Sequence, residues 1–155
     1  MAAFRFPLQK VLELKEQREK QSAADLARAR KEADEARRAR ADLESLRDAG
    51  RARLVQAHGA GGAVGHLQNL AYVVGQVDRQ IRDAEEQCRK ADEDLVEQVR
   101  AFHKAALERR TIGQLRERRL DQWRTHQARD ERKTMDEVAL SRHGRGDGTY
   151  ASGGE

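Results

Sequence analysis

Cysteine, proline and tryptophan each occur once in these 155 residues, and aromatic residues make up only 4 %. The lone Cys88 excludes an internal disulfide framework and fits a reducing compartment. No apolar run approaches the ~20 residues of a membrane-spanning helix. The N-terminus has no apolar core of a secretory signal. These absences lead to the expectation of a soluble, cytoplasmic protein. Bulky apolar residues are also too sparse for a compact globular core.

What is present in abundance is charge, at 37 % of residues. Two classes fit such a composition. One is a disordered chain of high charge and low hydrophobicity. The other is a long helix or coiled coil rich in Ala, Glu, Lys, Leu and Arg. Basic and acidic residues number 31 and 27, a net charge of +4. They are interspersed rather than blocked, which speaks against a basic nucleic-acid tail.

Periodicity decides between the two classes. From Leu8 to Ala57 there is no proline, and the only glycine is Gly50. Leu8, Val11, Leu12, Leu26, Ala29, Ala33, Ala36, Ala39, Leu43, Leu46, Leu54 and Ala57 recur mostly in steps of three and four from Leu26 onward, one face of a helix. Opposite charges one turn apart give it local support. The stripe is alanine-rich, so a partner helix can approach closely but with thin packing. The stretch HGAGGAVGH, residues 58–66, then ends the helix, since four glycines in seven residues break it. Neither a preceding strand nor a Gly-Lys-Ser/Thr sequence accompanies them, so a hairpin tip explains these glycines better than a phosphate loop.

Beyond the tip, Leu67, Leu70, Val74, Val77, Ile81, Ala84, Cys88, Ala91 and Leu95 step strictly three then four, a sustained heptad pattern. Val99, Phe102 and Ala106 continue one residue late, a stutter in the repeat. Ile112, Leu115, Leu120 and Trp123 extend the stripe. Gly75 suggests a break that sets off a short tip helix. The expected fold is therefore all-α: an antiparallel coiled-coil hairpin over residues 4–142, with a helix at 8–57, a tip at 58–66 and a longer helix at 67–141. The glycine-rich tail 143–155 has no periodicity and is expected to be disordered.

No catalytic or metal-binding constellation emerges. His58, His66, His103, His126 and His143 have no ligand-like neighbours at one-turn spacing. Cys88 falls in the heptad stripe, where a thiol acts as a small apolar group. Asp92-Glu93-Asp94 reads as a solvated face. A two-helix rod also lacks the concave pocket that small-molecule chemistry uses. The expectation is no enzyme activity and no cofactor. Charge does vary along the chain. Residues 104–145 hold twelve Lys/Arg and seven Asp/Glu, whereas residues 58–103 hold five and eight. Arg5, Lys10, Lys15 and Arg18 add to the basic end of the hairpin. Interspersed acids and the shortage of stacking aromatics favour an acidic protein partner over nucleic acid.

The segment FRFPLQKVLELKEQREK stands apart, with two of three phenylalanines and the only proline at a terminus. Pro7 suits a first helical turn. Phe6 is placed to act as a staple before the helix, or Phe4 and Phe6 together to grip the second helix near Trp123, and this terminus can also serve as a docking end.

This segment, continued as QSAADLA, resembles the N-terminal signature of the flagellar type III export protein family FliJ: Phe-x-Phe-x-Leu-x-x-Val-Leu, a charged stretch with Glu, then Leu-Ala. ERRTIGQLRERRLDQWRTHQARDERKTMDEVALSR is similar to the family's C-terminal pattern, through Glu108, Leu115, Arg116, Arg118, Arg119, Asp136 and Glu137. The resemblance covers about residues 4–142. It implies a non-catalytic, stalk-like helical hairpin whose terminal end enters the hexameric flagellar export ATPase and promotes its activity. It further implies contact with the cytoplasmic domain of the membrane export gate, binding of export chaperones, and a location peripheral to the inner membrane at the flagellar base. Carried over residue by residue, the ring contact comprises Phe4, Arg5, Phe6, Leu8, Leu12, Lys15, Arg18, Arg116, Arg119, Leu120, Trp123, Arg124, Asp136 and Glu137. The gate contact comprises Leu43, Leu46, Tyr72, Val73 and Val77. The alternative to a stalk is a general coiled-coil chaperone or scaffold that binds partner helices along its side.

Overall fold

The computed structural model describes residues 3–146 of the chain, with side-chain surroundings described to His143. Two helices account for nearly all of it, α1 (Gln9–Gly59, 51 residues) and α2 (Val64–Gly146, 83 residues), and they form an antiparallel helical hairpin. There is no break at Gly75: α2 runs through it, because its stripe of half-buried side chains continues on both sides. The helix also persists past residue 141. The remainder of the expected disordered tail, from residue 147, lies outside the described residues.

Contacts divide the described residues into a hairpin unit, Lys15–Leu107, and a terminal unit made of residues up to Leu14 and from Glu108 onward. In the hairpin unit the helices are in antiparallel register. Arg37 pairs with Asp92, Arg40 with Glu85 at 3.4 Å, and Arg51 with Asp78 at 3.2 Å. As the α1 number rises, the α2 number falls. All three pairs run from an arginine on α1 to a carboxylate on α2. Each is partly exposed, so each contributes no more than about 1 kcal/mol. Their direction nonetheless distinguishes the two helices and favours this pairing over α1 with α1.

On α2 every heptad position expected from the sequence, Leu67 through Leu95, is buried or half-buried. Val77, Ile81 and Cys88 are the most enclosed. At the stutter, Gln98 and Val99 are both half-buried, as are Ala105 and Ala106. Two neighbouring phases share the face there, which a four-residue insertion in the repeat requires.

The α1 seam differs from its expected composition. It steps strictly three and four through Ser22, Leu26, Ala29, Ala33, Ala36, Arg40, Leu43, Arg47, Gly50, Leu54 and Ala57. Ala39 is exposed, and so is Leu46, at 57 %. Arg40 and Arg47 take their places. An arginine stem covers apolar surface while its head reaches polar partners. Arg40 Nε donates to Glu44 at 3.0 Å, and Arg47 Nε donates to Asp48 at 2.9 Å. Counting apolar letters alone selects the residue one position early. Gly50 permits a close approach: a Cβ there would lie 3.0 Å from Val74 Cγ2.

The tip is shorter than its glycines suggest, since only residues 60–63 separate the helices. Gly61 N–H donates to His58 C=O at 3.2 Å, and Gly62 N–H donates to Ala57 C=O at 2.9 Å. With Gly61 at φ 71°, this is a Schellman ending, which satisfies the last carbonyls of α1. A Cβ on Gly62 would come within 2.8 Å of Ala57 O, so the second glycine is also needed. The start of α2 has no comparable device. Ala63 C=O accepts from His66 and Leu67 N–H, but an alanine side chain cannot cap the free N–H groups of the first turn.

Solvent-facing positions are laced with pairs one turn apart. Arg89 bridges Glu86 and Glu93, both at 2.6 Å. Its hydrogen bond holds the Glu86 carboxyl below the usual carboxylate range.

A terminal groove of aromatic and basic side chains

In the terminal unit, the chain enters α1 through a turn in which Gln9 N–H donates to Phe6 C=O at 3.1 Å. Pro7 lies inside this turn, where its fixed φ fits and its missing N–H removes nothing. The turn presses Phe6 inward, leaving it 9 % exposed, and Leu12 follows at 6 %. Phe4 is half-buried against Trp123, with ring centroids 6.0 Å apart and planes inclined by 56°. Tilted aromatic pairs at this spacing are favourable beyond their area burial.

Around this pair runs a groove of about 620 Å³. The entering segment supplies Phe4, Arg5, Phe6, Pro7 and Leu8, and α2 supplies Leu115, Arg119, Gln122, Trp123 and His126. A second groove, of about 460 Å³, is lined by Gln9 and Arg116 together with Phe4, Arg5, Phe6 and Pro7. Arg116 Nε is buried without a hydrogen-bond partner. His126 Nδ1 and Asp130 Oδ2 are 2.7 Å apart, and Arg124 lies 3.7 Å from Asp121.

Of the expected ring-contact residues, Phe4, Arg5, Phe6, Leu8, Arg119 and Trp123 are brought together here, and Arg116 sits beside them. Leu12 is buried and Leu120 half-buried, so both serve packing, while Arg124 is exposed. Lys15 and Arg18 belong to the hairpin unit. Asp136 and Glu137 lie on a stretch, residues 131–143, in which every side chain is exposed. Leu115, Gln122 and His126 were missed as groove residues. Their spacing with Arg119 and Trp123, in steps of three and four, places them on one face of α2 and was the available signal.

The expected gate residues divide by burial. Val77 is 6 % exposed and packs in the seam, and Leu43 is half-buried there. Leu46, Tyr72 and Val73 are exposed, as are Val55 and Val64. Gln76 Nε2 donates to the Tyr72 hydroxyl at 2.8 Å.

Among the described residues, no group of three or more His, Cys, Asp or Glu is placed to hold a metal ion. No helix of the described residues is long and apolar enough to cross a membrane.

The family model for the flagellar FliJ protein matches residues 4–148, almost the whole chain. The chain belongs to the FliJ family. It is thereby a component of the flagellar type III export system. The fold is similar to a solved structure described as a YscO homologue, CT670 from Chlamydia trachomatis. That likeness has a TM-score of 0.50 and 19 % identity, and covers 95 % of this chain and 99 % of that one. No curated protein matches the chain. The FliJ match spans both the entering segment and the α2 face that form the terminal groove.

Proposed function

We propose that this FliJ-family chain is the stalk-like component of the flagellar export machinery: its terminal unit docks in the hexameric export ATPase and promotes ATP hydrolysis, and its hairpin unit meets the cytoplasmic domain of the membrane export gate. It does no chemistry of its own. It works at the flagellar base, peripheral to the inner membrane, and hands on export chaperones there. The observation that carries this reading is the character of the terminal unit. Residues 3–14 and 108–143 hold twelve Lys/Arg and eight Asp/Glu, a surplus of four positive charges, and the same unit carries the aromatic groove lined by Arg5 and Arg119. A basic end suits an acidic pore and speeds encounter with it. For the gate, the exposed Leu46, Tyr72 and Val73 offer apolar surface, with Leu43 and Val77 holding the helices beneath them.

The test is the ATPase rate of the cognate export ATPase with and without this protein, beside a Phe4→Ala/Trp123→Ala variant that retains its helical signal. Stimulation by the wild type and its loss in the variant are expected. No stimulation at any ratio would overturn the stalk reading. It would favour a coiled-coil scaffold that binds partner helices along its side, for which the same exposed Leu46, Tyr72 and Val73 would serve.

A further inference from the structure

The two grooves beside Phe4 share one property: neither is lined by an aspartate or a glutamate, unlike a further groove of the terminal unit, which Asp136 lines. The grooves of the hairpin unit also contrast with those two. One is lined by Glu32, Glu35 and Asp94, the other by Glu85, Asp92 and Glu93. The difference is not one of basic content alone, since Arg40, Arg89 and Arg100 line the second of these. What differs is the presence of carboxylates in the lining. Arg40 and Arg89 are paired with carboxylates, whereas Arg5 and Arg119 have no ion pair within the described residues. Beside them the Arg116 guanidinium keeps a buried Nε without an acceptor.

We propose that the groove beside Phe4 and Trp123 accepts an apolar side chain presented between carboxylates on an acidic segment of a partner protein. The proposal rests on the docking reading above and names the chemistry of that contact. The floor is apolar, formed by Phe4, Phe6, Leu115 and Trp123. Its volume falls within the roughly 300–1,000 Å³ typical of ligand clefts. Aromatic floors of this kind hold an apolar anchor while excluding water around it. Arg5 and Arg119 also line it and are exposed, and guanidinium groups bind carboxylates through short, charge-assisted hydrogen bonds. A nucleic acid would also be drawn to arginines and aromatics. Strand binding, however, uses free ring faces as stacking platforms. Here the two rings are half-buried against each other.

Trp123 is the only tryptophan, so its emission reports on this groove alone. The full-length chain is titrated with a capped peptide, Asp-Glu-Asp-Leu-Phe-Asp-Glu-Asp. Comparison probes are the same peptide with Ala-Ala in place of Leu-Phe, one with lysine in place of every acid, and an oligothymidylate. The acidic Leu-Phe peptide is expected to shift Trp123 emission saturably at low salt. Binding should weaken at least tenfold for the Ala-Ala peptide and for the Arg119→Glu variant. The exposed Arg79→Glu in the hairpin unit should leave it unchanged. A silent titration, an equal response to the lysine peptide, or tighter binding of the oligothymidylate overturns the proposal. Stimulation of the export ATPase by wild type and Arg119→Glu separates the two readings. A silent titration with stimulation retained in both ends the groove proposal and leaves docking intact. A titration as expected with no stimulation by wild type does the reverse.

Discussion

Phe4 and Trp123, 119 positions apart in the chain, meet as a tilted aromatic pair with ring centroids 6.0 Å apart. A non-helical residue at the very start of the chain is thereby tied to the middle of the α2 segment in the terminal unit. Replacing Phe4 or Trp123 by alanine should each destabilise the chain. The double-mutant cycle should show a coupling of about 0.5–1.5 kcal/mol, the usual worth of such a pair. Urea titration followed by far-ultraviolet circular dichroism measures it. A coupling near zero would mean that the rings do not hold the entering segment.

The tip carries two predictions of opposite sign. Gly61→Ala forces a Cβ into the left-handed region and should cost about 1–2 kcal/mol. Ala63→Asp supplies the missing N-cap of α2 and should stabilise by about 0.5–2 kcal/mol. Thermal melts of the two variants should move in opposite directions.

Arg51 and Asp78 report on register. The two lie 3.2 Å apart, so Arg51→Asp or Asp78→Arg alone replaces an attraction with like charges across the seam and should lower stability by up to about 1 kcal/mol. The double swap should restore most of it. Raising the salt concentration should shrink the difference, because partly exposed pairs are screened. A swap no better than either single change would argue that the pair does not form.

Ala33 is 1 % exposed in the seam. Ala33→Leu should therefore overpack the interface and cost about 1–3 kcal/mol. Cys88 is buried in the same seam and should react with a maleimide far more slowly in the native protein than in urea. Fast native labelling would show that the seam opens readily.

Residues 131–143 are helical without one buried or half-buried side chain. Their amide hydrogens should exchange much faster than those around Ala29–Ala33 and Val77–Cys88, since a helix segment with no packed face frays. Adding the export ATPase ring should slow that exchange if this stretch enters it. Hydrogen exchange read by mass spectrometry tests both statements.

The α2 heptad was legible because its seam letters are apolar: Leu67, Leu70, Val74, Val77, Ile81 and Leu95 announce their own face. The hairpin followed from two helical patterns and a glycine cluster. The FliJ resemblance was legible too, in a Phe-x-Phe-x-Leu start and a basic C-terminal stripe. Less legible was α1, where Arg40 and Arg47 occupy seam positions and the more apolar Ala39 and Leu46 face solvent. Burial there is set by the angle of each side chain around the helix, and a long cationic stem fills space as an aliphatic one does.

The sequence by itself therefore determined the secondary structure, the antiparallel pairing and the family, since these depend on local periodicity and on the short span of the tip. Only the tertiary structure decided which residues share a surface. It drew Phe4, Phe6, Leu115, Arg119, Trp123 and His126 into one groove and enclosed Val77 in the seam. It also left the arginines of that groove without internal carboxylates, while their counterparts Arg37, Arg40 and Arg51 were matched across the hairpin. Such matching depends on register between segments far apart in the chain, and a one-residue shift, too small to disturb the composition of either helix, changes every cross-helix neighbour.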